Sequence, residues 1–244
     1  MTQSNHSGAK KPLLIPLAAS ALFVFQTLAA KAGTLVSKQL DFTTLDPDGL
    51  FLPISVHHII QALIALAAVF AISKIKGLDF QLMPKKSGIG IKYAAVFIGV
   101  MLVYTAVSYF VGYKLGTLAD YDYTLCVRNC LGYLGFQLLL SGPSEEILFR
   151  ALPLTVLCAL GSGRGNKIAA VIISALLFGI AHIGWSFSPF TLSVSWFQVG
   201  YAFILGIAYG ITYLKSKSII YPMLMHSMSN VIMVGAGYLL FFFI

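Results

Sequence analysis

Charge is what this sequence has least of. Only 10% of its 244 residues are charged, and eight acids stand against 16 Lys and Arg. Soluble domains carry roughly a quarter charged residues. So little polar surface cannot cover a water-soluble globule of this length, and 58% hydrophobic residues with a mean hydropathy of +0.87 point to lipid as the solvent. Cysteine is scarce as well. Cys126, Cys130 and Cys158 allow at most one disulfide, which excludes a disulfide-rich secreted scaffold, and all three are expected to be buried thiols. Internal repeats of roughly 20–50 residues and low-complexity tracts are missing too. The basic residues lie singly and in pairs between apolar runs, so no nucleic-acid partner is expected.

What the chain does have is long apolar runs. Stretches able to cross a bilayer of about 30 Å at 1.5 Å per residue lie near 13–30, 54–73, 89–113, 129–160, 168–185, 191–214 and 218–244. They predict an all-α fold, a polytopic membrane helix bundle with seven or eight transmembrane helices, forming a single integral membrane domain over 1–244. The ambiguity is in 129–160, which is longer than one crossing needs and contains Gly142-Pro143, so it is either one kinked helix or two pieces. The first stretch follows Lys10 and Lys11 and resembles a signal peptide, but its apolar run is longer than a signal core; it is read as a membrane anchor. Gly206 and Gly210 form a GxxxG pair expected to let helices pack closely within the molecule.

With the N-terminus in the cytoplasm, eleven cations fall inside: Lys10, Lys11, Lys74, Lys76, Lys85, Lys86, Lys92, Arg164, Lys167, Lys215 and Lys217. Four fall outside: Lys31, Lys38, Lys114 and Arg128. This bias follows the positive-inside rule and predicts a multi-pass protein of the cell membrane, N-terminus in and C-terminus out for seven spans. The acids divide differently. Asp41, Asp46, Asp48, Asp79, Asp120 and Asp122 fall in loops or span ends, where water is expected to solvate them. His57 and His58, at the start of the second span, read as interfacial, as do Trp185 and Trp196 around the charge-free segment 186–190.

Glu145 and Glu146 are deep in the fourth stretch, in Ser141-Gly-Pro-Ser-Glu-Glu-Ile-Leu-Phe-Arg150, where a charge costs ~3 kcal/mol even on a lenient insertion scale. Glu146 and Arg150 are four apart on one helix face and can pair, while Glu145 points about 100° away and is left for chemistry. His182 lies one turn after Phe178, and His226 one turn before Asn230. Counted from the inner span ends, Glu145 is roughly 22 Å deep, His182 roughly 21 Å and His226 roughly 12 Å. A carboxylate beside an imidazole can deprotonate water, and a second imidazole with a carboxamide can donate to an oxyanion. That set suits amide hydrolysis. No HExxH helix is present, but Glu145, His182 and His226 on separate helices leave a metal open.

At these residues the chain resembles the CPBP family, the CAAX protease and bacteriocin-processing (Abi) membrane proteins that include type II CAAX prenyl endopeptidases. The motifs EExxxR, FxxxH and HxxxN/D read here as Glu145-Glu146-Ile-Leu-Phe-Arg150, Phe178 to His182 and His226 to Asn230, in the family's order. The resemblance implies an intramembrane endopeptidase with its core in about 129–244. Glu145 and His182 would activate water, His226 and Asn230 would stabilise the oxyanion, and Glu146, Arg150 and Phe178 would support them. It implies a peptide or lipidated protein substrate, membrane lipid around the protein, and either no cofactor or zinc. Ala151 departs from the glycine common after the arginine, which bears on helix packing. Other readings are a transporter or proton relay, since membrane carboxylates and histidines also carry ions, and an inactive immunity or binding protein of the same fold.

Overall fold

The computed structural model describes residues 11–118, 120–187 and 189–243. Three long helices come first: α1 (Lys11–Ser37), α2 (Leu52–Lys76) and α3 (Ser87–Leu115). A continuous helical segment over 127–159 follows. It consists of α4 (Val127–Phe136), a π-helical turn (Gln137–Ser141), α5 (Gly142–Glu146), a second π-helical turn (Ile147–Ala151) and α6 (Leu152–Ala159). Helices α7 (Gly163–Ala181), α8 (Trp196–Ser216) and α9 (Ile220–Phe243) complete the bundle. Six of these helices are individually long and apolar enough to cross a membrane, and the composite segment makes seven helical rods among the described residues. The chain is a multi-pass membrane helix bundle. Outward-facing Val96, Val103, Val107 and Phe110 on α3 and Phe243 on α9 would meet acyl chains, while polar side chains turn inward.

Of the two readings of 129–160, one continuous helix holds, with no break at Gly142-Pro143. A proline removes one i→i−4 hydrogen bond and clashes with the carbonyl four residues back, and a π turn makes room for both. One π turn precedes Pro143 and the other precedes Pro153, so each proline is absorbed without ending the helix. The carbonyl that Pro153 leaves without its usual partner, that of Phe149, accepts a hydrogen bond of 2.5 Å from the Ser174 hydroxyl on α7. A neighbouring helix thus completes the backbone bonding that lipid could not.

A second difference lies between α7 and α8. Residues 191–193, expected at the start of the sixth span, instead belong to strand β2 (Phe190–Ser193), antiparallel to β1 (Gly184–Phe187). Four paired residues per strand add a small hairpin to the otherwise helical fold. Lys31 Nζ sits 5.0 Å from the Trp185 ring centroid, tying the hairpin to the end of α1.

Contacts between loops define the two ends of the bundle. At one end Asn129 Nδ2 donates to Asp48 at 2.5 Å, Tyr123 and Tyr238 share a hydrogen bond of 2.8 Å, and the hairpin meets Lys31. At the other, Lys86 N donates to Ser216 O at 3.0 Å, Ile219 N to Gln81 O at 2.9 Å, and Tyr213 Oη to Phe80 O at 2.9 Å. Lys74, Lys76, Lys85, Lys86, Lys215 and Lys217 lie at this second end, and Lys31, Lys38, Lys114 and Arg128 at the first. Lys10 lies outside the described residues.

Not every loop acid is solvated by water, as expected. Asp46 is buried, and its carboxylate accepts the backbone N–H groups of Leu50, Phe51 and Leu52 at 2.7–3.0 Å, capping the start of α2. Asp79 does remain in water, where Lys85 and the Gln81 backbone N–H hold its carboxyl below the usual range. The three cysteines are free, but only Cys130 is fully buried; Cys126 and Cys158 are half-buried.

Close helix crossings bring the interior together. A Cβ on Gly206 would stand 3.1 Å from Ala175, and one on Gly210 would stand 3.3 Å from Val171, so the GxxxG face packs α8 onto α7. On Gly142 it would meet Ser227 Oγ at 2.5 Å and the Met223 carbonyl at 2.8 Å. Only glycine lets α5 approach α9 this closely, which sets Glu145 and Glu146 against His226.

Candidate active site

Adjacent positions on α5 send the two glutamates to different places. Glu146 is fully buried, with Oε2 3.1 Å from Arg150 Nε and Oε1 2.8 Å from His226 Nδ1. An ionised carboxylate only accepts, so His226 Nδ1 carries a proton and donates it. The Arg150 contact is an ion pair by distance, but no guanidinium nitrogen has a well-aligned hydrogen bond. The cation is held instead by ring faces, 4.1 Å from Phe178 and 5.2 Å from Tyr209. Phe178 also meets His182 edge-on at 4.8 Å and His226 at 5.6 Å, and Tyr209 stacks on His226 at 5.2 Å. This aromatic wall keeps Arg150 with Glu146.

Glu145 faces away, with its side chain 17% exposed, and lines two cavities of about 370 Å³ each. Both cavities also touch His58, Phe178 and His182. The first lies among α1, α2, α7 and the start of the hairpin, and is bordered by Gln26, Lys31, Thr34 and His57. The second lies among α2, α4, α8 and α9, and is bordered by Phe136, Phe197, Leu205, Met233 and Val234. Glu145 therefore stands between two chambers of mixed lining, the first the more polar and the second the more apolar.

Sequence spacing anticipated part of this. Glu145 Oε2 lies 3.7 Å from His226 Nε2, joining two of the expected residues. His182, at the C-terminal end of α7, lines both cavities; its Nδ1 donates to the Phe178 carbonyl at 2.8 Å, which turns the lone pair of the neutral ring to Nε2. Asn230 lines the apolar chamber, but both hydrogens of its amide are engaged, by Gln137 Oε1 at 2.7 Å and Ser141 Oγ at 3.0 Å.

Reading His58 as interfacial is overturned. His58 is buried, with Nε2 3.7 Å from Glu145 Oε1 and Nδ1 2.7 Å from Ser144 Oγ. His57 is hydrogen-bonded to Thr34 at 3.1 Å on the wall of the polar chamber. The available signal was the stripe His58, Gln61, Ala65 and Val69, which is the buried face of α2 and carries two polar residues one turn apart. Among the described residues, no three His, Cys, Asp or Glu side chains converge as a metal would require. Three imidazoles surround Glu145, yet each spends its Nδ1 on a fixed partner and none approaches the carboxylate more closely than 3.7 Å.

Residues 128–232 match the family described as Type II CAAX prenyl endopeptidase Rce1-like. Over this segment the chain is similar to the CAAX protease family. The match runs from α4 into α9, and contains Glu145, Glu146, Arg150, Phe178, His182, His226 and Asn230. It supports an intramembrane protease function of CAAX type, in keeping with the buried carboxylate and its imidazoles. No curated protein and no solved structure matches the chain. Helices α1 to α3, and His58 with them, lie outside the matched segment.

Proposed function

We propose that the chain is an endopeptidase of the cell membrane that hydrolyses a peptide bond near a prenylated, or similarly lipidated, end of a peptide or protein. The observation that carries this reading is Glu145: a carboxylate inside the bundle, not consumed by Arg150, standing between a more polar and a more apolar chamber. The polar chamber admits water. The apolar chamber accommodates aliphatic side chains or lipid beside the scissile bond.

Glu145 takes a proton from a water in the cavities that His182 borders, and the oxygen attacks the carbonyl carbon. Base catalysis of this kind contributes roughly 10²–10⁴-fold. The carbonyl electron pair moves to oxygen. Asn230 supports the oxyanion by giving up its longer bond, to Ser141, and a protonated Nε2 of His226 donates beside it. Each such donor is worth about 10²–10³-fold. When the C–N bond breaks, the nitrogen keeps the bonding pair and Glu145 returns the proton to it. Glu146, held by Arg150, orients His226 through Nδ1. This route passes no step through a metal.

The test is cleavage of a fluorescence-quenched farnesylated peptide, ending in cysteine, two aliphatic residues and a final residue, by the purified chain in lipid. The intact protein cleaves it, while Glu145→Gln and His182→Ala lower turnover at least 10³-fold with unchanged melting temperature. Normal turnover by Glu145→Gln would refute the mechanism. Chelator leaves the rate unchanged; a loss that zinc restores would refute the metal-free route.

A further inference from the structure

We propose that His58 is a further catalytic residue, whose Nε2 accepts a hydrogen bond from the attacking water and thereby orients it on Glu145. The inference rests on the hydrolytic reading above, and brings α2 into a site whose other residues lie between α5 and α9. The Ser144 hydroxyl has one hydrogen, which it donates to the Ser141 carbonyl at 3.2 Å. Its oxygen can therefore only accept from His58, and Nδ1 is the protonated nitrogen of that 2.7 Å bond. In the neutral ring the lone pair is then at Nε2, which faces Glu145 Oε1 across 3.7 Å.

That separation is too long for a direct hydrogen bond, and a water beside the pair can bridge both atoms at about 2.8 Å from each. His58 borders both chambers, so water reaches the gap and a peptide carbonyl can reach the water. The ring is held in this pose by Ser144 on one side and by Phe136, edge-on at 5.0 Å, on the other. A histidine serving only to join helices would spend both nitrogens on fixed partners. His58 spends Nδ1 that way and turns Nε2 to the cavity. In the resulting arrangement the water gives one hydrogen to Glu145, keeps the other in its bond to His58, and points an oxygen lone pair at the carbonyl carbon. The hydrogen held by His58 stays on the oxygen and leaves with the product acid.

His58→Asn and His58→Gln separate the two nitrogens. Asparagine places an amide near Nδ1 and keeps the bond to Ser144; glutamine reaches toward Nε2 with an acceptor oxygen. With the farnesylated peptide, His58→Asn is expected to lower kcat 10–100-fold with KM within twofold and melting temperature unchanged, and His58→Gln is expected to recover at least a tenth of wild-type kcat. Wild-type kcat in His58→Asn would overturn the proposal and leave a structural bond to Ser144. Should His58→Asn fail to fold, His58→Gln and Ser144→Ala decide: kcat within twofold of wild type in Ser144→Ala but a loss of more than 100-fold in His58→Gln overturns it. Glu145→Gln measured alongside separates the readings. Its inactivity beside an unimpaired His58→Asn refutes only the role of His58, whereas its activity refutes the hydrolytic mechanism itself. Failure of the intact protein to cleave the peptide counts against the substrate on which both rest.

Discussion

Glu146 is wedged between a guanidinium and an imidazole with no access to water, so its charge is balanced locally or not at all. Removing one partner of a buried ion pair leaves the other uncompensated, at about 3–5 kcal/mol. Glu146→Gln should lower the melting temperature in detergent, and Glu146→Gln with Arg150→Met should regain most of the loss, because an apolar side chain fits the cage of Phe178 and Tyr209. Equal melting temperatures for the single variant and the parent would disprove this account. The pair itself was legible in the sequence, because four residues on a helix return a side chain to the same face, and Glu145 was freed by the same geometry. What could not be read was that His226 would reach both glutamates, since no local periodicity relates α5 to α9. The Asn230 amide was foreseen beside His226; its engagement with Gln137 and Ser141 on the first π turn was not.

At the scale of the element, the segment over 127–159 joins conformational strain to function. Two prolines in a membrane helix ordinarily cost backbone bonds, and here a π turn stands before each, on either side of α5. The prolines were visible in the sequence; the continuity of the helix was not, because it depends on a donor from another helix. Ser174→Ala would leave the Phe149 carbonyl unpaired in an apolar interior, at about 1–3 kcal/mol. Its expected effect is a lower melting temperature together with reduced turnover, since α7 also carries His182. A variant as stable and active as the parent would separate Ser174 from the π turn. His58 escaped notice for a related reason: four residues into a span it looks like an interfacial side chain, until α2 packs on α5 and buries it.

For the whole molecule, the loop contacts place ten of the basic residues in the two groups that the positive-inside rule demands, so the bundle has a lysine-rich end and a lysine-poor end. The polar chamber approaches the poor one, through Lys31, Thr34, His57 and Trp185. In intact cells, an impermeant maleimide is therefore expected to label Gln39→Cys, and to label Met83→Cys only after permeabilisation, in a background where the three native cysteines are serine. The reverse pattern would turn the chamber toward the cytoplasm.

Class, approximate spans and the Glu146–Arg150 pair follow from the sequence alone, because hydropathy and helical periodicity are local properties and the membrane makes both strict. The tertiary structure alone decided which helices meet. It set α5 on α9 through Gly142, paired Ser174 with a carbonyl that proline had freed, and brought a third imidazole to Glu145. Each of these is a contact between residues far apart in sequence, fixed by the shape of packed surfaces rather than by any pattern along the chain.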